Sequence, residues 1–512
     1  MKKLQFMAWP KLCTMLLLGA GALFMASCAT DGFDDESFSA GNGVRNTKLT
    51  TPSSKEIKFE ASTDGSKWTV SWPVVYGGGG YKAVLTNLTT KEVLVDSIID
   101  GLSFATTRDE DTNYQLSLQV LGNTELGNTA GDVVVKDTTS FTPTFAVIPT
   151  GTDLYKYFLD NPIPYEVTEE RNYDLEAGGQ FTLSQPLVFV TKNPDNEAEE
   201  SYKKVTLRSA DKNNKATITL GDGTTSEGTE GEGTNFVVGN SFSLKYLNIN
   251  VAVSSPTKAR PVIELYNYAT DPDGILEKPK NYYIIPAMNI IGCNINGVIG
   301  SLIYDNNKAY VISGLTLRNT RIMAKTTLDR IKNESFISFQ GGGVKDFTME
   351  NSTAYQTGDK IKKYFLRYNN SVRADRITGS TTDFTTFTWA NNTFYQMIDN
   401  SDGQWFNSTG PKDYSTYIVR NNIWVDCSKQ IARRIKGNSQ LGTNSQATFV
   451  NNTYWFNGAA ADQGLDNNQK PHDNTGLTTD PAFVDAANGN FRPTGAQQVQ
   501  YQTGDPYWYT VQ

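Results

Sequence analysis

A recurrence of thirty residues near the C-terminus constrains this chain more than any other feature. Trp389-Ala390-Asn391-Asn392-Thr393-Phe394-Tyr395 returns as Val419-Arg420-Asn421-Asn422-Ile423-Trp424-Val425, and again as Phe449-Val450-Asn451-Asn452-Thr453-Tyr454-Trp455. Each copy is an alternating strand, a polar corner and a second strand with large side chains. A fixed period of this size marks a stacked architecture, because one repeat cannot bury its own apolar face and must lean on the next. Fainter copies predict the same corner at Asn248, Asn294, Asn319 and Asn351. Their uneven spacing fits a coil with loops inserted at one corner. Asn suits such a bend, since it tolerates left-handed backbone and can bond its neighbours from coil to coil.

Composition narrows the class. The chain has 512 residues, 43 of them Gly, and only 20% are charged, which fits an all-β protein with many turns. The single His, His472, disfavours mechanisms that need a His pair or a site of several His. With residues 1–27 removed, 43 basic residues face 54 acids, a net charge of −11. That balance argues against a nucleic-acid partner.

The N-terminus has the pattern of a targeting segment: basic Lys2-Lys3, an apolar run from Leu12 to Met25, then Met25-Ala26-Ser27-Cys28. The run is too short for an ordinary spanning helix. It resembles a bacterial lipoprotein signal over residues 1–27, which implies lipid attachment at Cys28. Acidic Asp31 to Glu36 resembles the export signal of surface lipoproteins in Gram-negative glycan-harvesting bacteria. The resemblance implies a protein on the outer membrane, facing outward, with a surface glycan-transport complex as a partner. Residues 28–52 read as a flexible tether. Cys293 and Cys427 fall in different repeats, so a disulfide framework is not expected.

Residues 53–145 carry short alternating segments separated by turns. Trp68 and Trp72 precede Gly77-Gly78-Gly79-Gly80, and Leu102 precedes a strand opened by Tyr114. This is sandwich patterning and resembles a fibronectin type III domain. Beyond it, a short helix is expected near 152–160 with Thr152 or Asp153 as cap, followed by strands and a Gly turn. That entry resembles a right-handed parallel β-helix of the pectate-lyase type, with the helix covering the first coil. The segment Asp480-Pro481-Ala482-Phe483 followed by Asn490-Phe491-Arg492 resembles the closing region of bacterial polysaccharide-active β-helices, and is expected to plug the last coil. Residues 150–512 as a whole resemble uncharacterised pectate-lyase-like lipoproteins of glycan-utilisation loci. The fold expected is all-β: a right-handed parallel β-helix preceded by a fibronectin III-like β-sandwich.

For chemistry, a uronate lyase on this fold pairs an Asp cluster holding Ca²⁺ with a Lys or Arg base. Asp399, Asp402 and Asp426 have the polarity of such a site without a defined spacing, and no Asp pair on matching strands anchors a glycosidase. Basic residues are better grouped, at Lys360, Lys362, Lys363, Arg367, Arg373 and Arg376, and again at Lys429, Arg433, Arg434 and Lys436. Such islands can hold carboxylates through forked contacts. Three residues after the corner stand Phe394, Trp424 and Tyr454; four after it stand Tyr395, Val425 and Trp455. Successive strand residues face opposite ways, so one column lines the core and the other faces outward. Tyr395, Trp424 and Trp455, with Lys429, Arg433, Arg434 and Lys436, are therefore the candidate glycan-binding residues. The reading that follows is a surface lipoprotein binding a plant-type, uronate-containing polysaccharide. Its alternatives are a Ca²⁺-dependent polysaccharide lyase and a structural or adhesive surface protein; no other cofactor is implied.

Overall fold

The structure is a computed structural model that describes residues 43–61, 67–88, 91–109, 112–140, 143–224, 231, 233–266, 276–277, 281–305, 310–327, 335–339, 341–359, 363–368, 385–398, 404–408, 415–427, 431, 446–460 and 473–510. Cys28 and the segment around it lie outside these residues. Among the described residues no helix is long and apolar enough to cross a membrane. The chain divides into two compact units at Pro143/Thr144.

The first unit is the fibronectin III-like sandwich. One sheet orders Lys58–Ala61, Lys67–Ser71 and Ser103–Thr107; the other orders Val93–Ile99, Gly78–Asn87, Asn113–Gly122 and Val134–Thr139. Among the described residues the strands within these two sheets pair antiparallel, as hairpin-rich sequence with alternating apolar residues requires. Trp68, Trp72, Tyr81 and Tyr114 fill its core. The Tyr114 hydroxyl accepts from the Asp109 amide at 2.6 Å, tying the corner back five residues upstream.

The second unit is a right-handed parallel β-helix, the hand that crossovers between parallel strands take. Among the described residues three sheets run its length, with eleven, ten and seven strands, called here sheets 1, 2 and 3. A complete coil passes from Thr385–Ala390 in sheet 1, through the Asn corner, to Thr393–Tyr395 in sheet 2, then Gln404–Ser408 in sheet 3. The thirty-residue step then brings Ser415–Arg420 into register beside Thr385–Ala390. Helix Leu154–Asp160 covers the first coil: Asp153 Oδ1 accepts the Tyr155 amide at 3.1 Å, and Leu154 and Phe158 sink into the core.

The corners carry two ladders. Asn319, Asn351, Asn391, Asn421 and Asn451 adopt φ between 49° and 54°, the left-handed bend. Asn391 Nδ2 donates to Asn351 Oδ1, and Asn421 Nδ2 to Asn391 Oδ1, both at 3.1 Å. The second Asn of each pair points inward and is fully buried. There Asn392 Nδ2 donates to Asn422 Oδ1 and Asn422 Nδ2 to Asn452 Oδ1, each at 2.9 Å, and buried Asp473 accepts the Asn452 amide at 2.8 Å. Each inner amide also donates to a main-chain carbonyl, so no polar group is left orphaned within the bend.

Two expectations change here. In the earlier coils the left-handed corner is held by Tyr246 (φ 56°) and Gly292 (φ 63°), not by Asn248 and Asn294. Those two Asn stand two residues later, paired in register within sheet 2. Second, the C-terminal segment stacks on the last coil only at its start, where the Leu477 amide donates to the Asn452 carbonyl at 2.8 Å, and the part expected to plug that coil, Asp480 to Arg492, runs elsewhere. The segment lies along the outer face of sheet 2 and reaches back to Thr353, where Trp508 Nε1 donates to Thr353 Oγ1 at 2.7 Å. The last coil instead folds a short antiparallel strand, Ala459–Ala460, against Thr453–Phe456.

Candidate functional site

Strand parity decides which aromatic column is available to a ligand. Phe394, Trp424 and Tyr454 point inward and are buried. Their rings stack at 5.4 Å and 5.5 Å with interplanar angles of 22° and 1°. Trp424 is therefore a core residue, not a glycan contact: the inner column has no solvent face. The outward column in register with it runs Tyr355, Tyr395, Val425, Trp455. Tyr395 is half-buried because Phe491 and Phe483 of the C-terminal segment pack on it at 5.4 Å and 6.4 Å. Burial first, and the Asp426 carboxylate second, push its phenol above the ordinary range. Trp455 is half-buried at the far end of the column, paired with Ala460.

Lys429, Arg433, Arg434 and Lys436 lie outside the described residues, as do Asp399, Asp402 and His472. Of the other basic group only Lys363 and Arg367 are described; both lie near the Tyr364 ring. Asp426 sits in a left-handed turn (φ 52°), where its Oδ1 accepts the Asn457 amide at 2.8 Å, the work of an ordinary turn residue. Among the described residues no group of three His, Cys, Asp or Glu is placed to hold a metal ion.

What the sequence reading missed lies on the same outer face, one coil toward the N-terminus. A cleft of about 310 Å³ opens there, bounded by Asn248, Asn294, Asn296, Arg321, Met323, Tyr355, Gly489, Tyr507 and Trp508. Its floor is set by register. Asn248, Asn294, Arg321 and Thr353 form one outward column, and Asn250, Asn296, Met323 and Tyr355 form the other. Asn294 Nδ2 donates to Asn248 Oδ1 at 2.8 Å and Asn296 Nδ2 to Asn250 Oδ1 at 3.1 Å, so the amides are held in a common orientation. The ladder stops at Arg321, leaving Asn294 Oδ1 without a donor among the described residues.

Arg321 is the charged centre. Its guanidinium lies 3.7 Å from the Tyr507 ring centre, a stacked arrangement that fixes the plane of its donors. Among the described residues its side chain makes no hydrogen bond and no ion pair, although the buried Asp505 carboxylate feels its charge. Lys215, half-buried, is close enough to Arg321 to be affected by it. Burial, then Arg321, lower its ammonium pKa.

The wall of the cleft is the C-terminal segment itself. Asp505 is buried and accepts the Thr353 hydroxyl at 2.8 Å and the Tyr507 amide at 3.0 Å. Burial pushes its carboxyl from 3.8 up to about 6. Its amide donates to Thr393 Oγ1 at 3.0 Å, and further along Gln498 Nε2 donates to Thr453 Oγ1 at 3.0 Å. Phe491, fully buried, packs on Tyr355 at 4.9 Å and on Trp508 at 5.7 Å. Hydroxyls and rings that would otherwise face water are matched one by one. The signal for this was present in Phe483, Phe491 and Trp508, but their aromatic character does not say which face they cover.

Chemically, the cleft offers planar cationic donors, oriented amides and an aromatic edge, the donor set that suits a carboxylate and vicinal hydroxyls. Three family models match the chain, each described as a domain of unknown function: DUF4992 over residues 6–178, DUF4957 over 200–357 and DUF5123 over 347–508. No curated protein matches it. A solved structure of a family 28 exopolygalacturonase from Yersinia enterocolitica is similar at 10% identity, over 87% of this chain and 90% of that one. The TM-score of that match is 0.23, too low for the likeness to bear on function.

Proposed function

We propose that this chain is a lipid-anchored protein of the outer cell surface that binds an acidic, plant-type polysaccharide, pectic in kind, in the cleft around Arg321. The single observation that supports it most is the Arg321 guanidinium, stacked on Tyr507 at 3.7 Å above an ordered amide floor and without an ion pair among the described residues. An Arg held in plane by an aromatic ring meets a carboxylate in forked fashion, and the amides can exchange bonds with sugar hydroxyls. The N-terminal pattern ending in Cys28 supports the anchor, and the acidic run Asp31 to Glu36 supports outward display. Retention of polygalacturonate in affinity electrophoresis tests the binding. Arg321→Ala should abolish the retardation seen with the unaltered protein, and equal retardation of both would sink the reading. Cys28→Ala should shift the protein from the membrane fraction to the soluble one.

A second reading, a Ca²⁺-dependent lyase, draws on Lys215. Burial and then the Arg321 charge lower its ammonium pKa, the direction that favours a base for C5 proton removal. Incubation with polygalacturonate and Ca²⁺ separates the two: unsaturated products absorbing in the near ultraviolet mean lyase, and binding without them supports the first reading.

A further inference from the structure

Along the axis of the stack the cleft is closed at its C-terminal end. Toward the N-terminus its floor continues rung by rung from Arg321 to Asn294, Asn248 and Thr217. Among the described residues, the side chains of Asn250 and Asn296 bond only to each other. Toward the C-terminus the next rung is Thr353, and there the floor ends. Trp508 Nε1 and the Asp505 carboxylate both engage the Thr353 hydroxyl, at 2.7 Å and 2.8 Å. Tyr355, its neighbour across the floor, lies against Phe491. Past this wall the C-terminal segment occupies the face that a longer chain would need. Arg321 is the last rung before the wall, and Tyr507 stacks on it.

Resting on the glycan-binding reading above, the geometry points to recognition of a chain end: the terminal, carboxylate-bearing sugar sits on Arg321 against the Trp508 wall, and the next sugars lie along the amide ladder. A polymer laid along the ladder cannot continue past Arg321, because the chain beyond it would have to pass through Trp508 and Phe491. Parallel strands are spaced ~4.8 Å apart, about the length of one pyranose ring, so the rungs that line the cleft, Arg321, Asn294 and Asn248, accommodate about three sugars. The cleft volume of about 310 Å³ agrees with a short ligand, at the lower end of the ~300–1,000 Å³ usual for such sites.

Calorimetric titration with size-sorted oligogalacturonates and with long polygalacturonate, concentrations counted by chain ends, tests this on the full-length protein. Affinity should rise with length and level off at about three sugars, and the long polymer should take up one protein per chain. Chemical modification of one end, by reduction of the reducing sugar or by unsaturation of the non-reducing one, should abolish binding. Arg321→Lys keeps the charge and loses the fork, and should weaken the trisaccharide by about tenfold or more. Several protein copies bound along each polymer would overturn the chain-end inference and leave polysaccharide binding standing. Failure of every oligomer and of the polymer to bind would overturn both.

Discussion

The outer face of sheet 2 has two halves that differ in what they ask of their surroundings. From Thr353 onward it presents mainly hydroxyls and rings: Thr353, Thr393, Ile423 and Thr453 in one column, Tyr355, Tyr395, Val425 and Trp455 in the other. From Arg321 back it presents amides and a cation. The first half is covered by the C-terminal segment and the second is left as the floor of a cleft. Apolar rings gain by leaving water, whereas amides already bonded to one another gain little and a cation loses its hydration. The covering segment therefore stops where the chemistry of the face changes. Its last aromatic pair, Tyr507 and Trp508, completes the cleft at that boundary.

Removing the covering contact should have the largest effect. Phe491→Ala deletes a fully buried ring packed on Tyr355, Tyr395 and Trp508, and should cost ~3–5 kcal/mol. Limited proteolysis should then cut residues 473–510 selectively, and differential scanning calorimetry should show the loss.

Acidity should act on the covered half alone. Asp505 has a folded pKa near 6 against an ordinary 3.8, so the folded protein holds its proton more tightly than the unfolded chain. Its contribution to stability is complete below about pH 3.8 and is lost as pH rises through about 6, a change of about 3 kcal/mol in docking of the segment. Asp505→Asn should flatten that dependence in pH-resolved denaturation. If the slope between these limits is unchanged by the substitution, Asp505 is not its source.

Thr353→Val should come next. It removes the hydroxyl that both donates to Asp505 and accepts from Trp508, leaving buried groups unpaired at about 1–3 kcal/mol. Hydrogen exchange at the Tyr507 and Trp508 amides should speed up while the inner Asn ladder stays protected. The smallest change is expected on the open half. Asn296→Ala breaks one half-exposed amide pair, worth ~0.5–1.5 kcal/mol at most. A larger loss of melting temperature for Asn296→Ala than for Thr353→Val would erase the distinction between the two halves.

Much of the fold was legible because its period is a whole coil. Once Asn391, Asn421 and Asn451 marked the corner, strand alternation placed Phe394, Trp424 and Tyr454 on one side and Tyr395, Val425 and Trp455 on the other. It could not say which side was inside, and so Trp424 was grouped with the glycan contacts. In the earlier coils the marker slipped. Gly292 takes the left-handed bend without a Cβ to obstruct it, and Tyr246 takes it despite one. The visible Asn residues, Asn248 and Asn294, are strand residues two places on. Arg321 was invisible as a site residue for a simple reason. Its sequence neighbours, Asn319-Thr320 and Ile322-Met323, are those of an ordinary coil, and its partners come from residues 248, 296 and 507.

The chain's own order of residues determined the stacked coil, the amide ladders and the alternation of core and surface, because these are local or strictly periodic consequences of strand and corner chemistry. Only the tertiary structure decided that the C-terminal segment, after stacking on the last coil through Asp473 and Leu477, runs back along sheet 2. That choice depends on matching Phe491, Asp505 and Trp508 to Tyr355, Thr353 and Thr393 across more than a hundred residues. Complementarity at that distance has no period, and it is what places Tyr507 over Arg321.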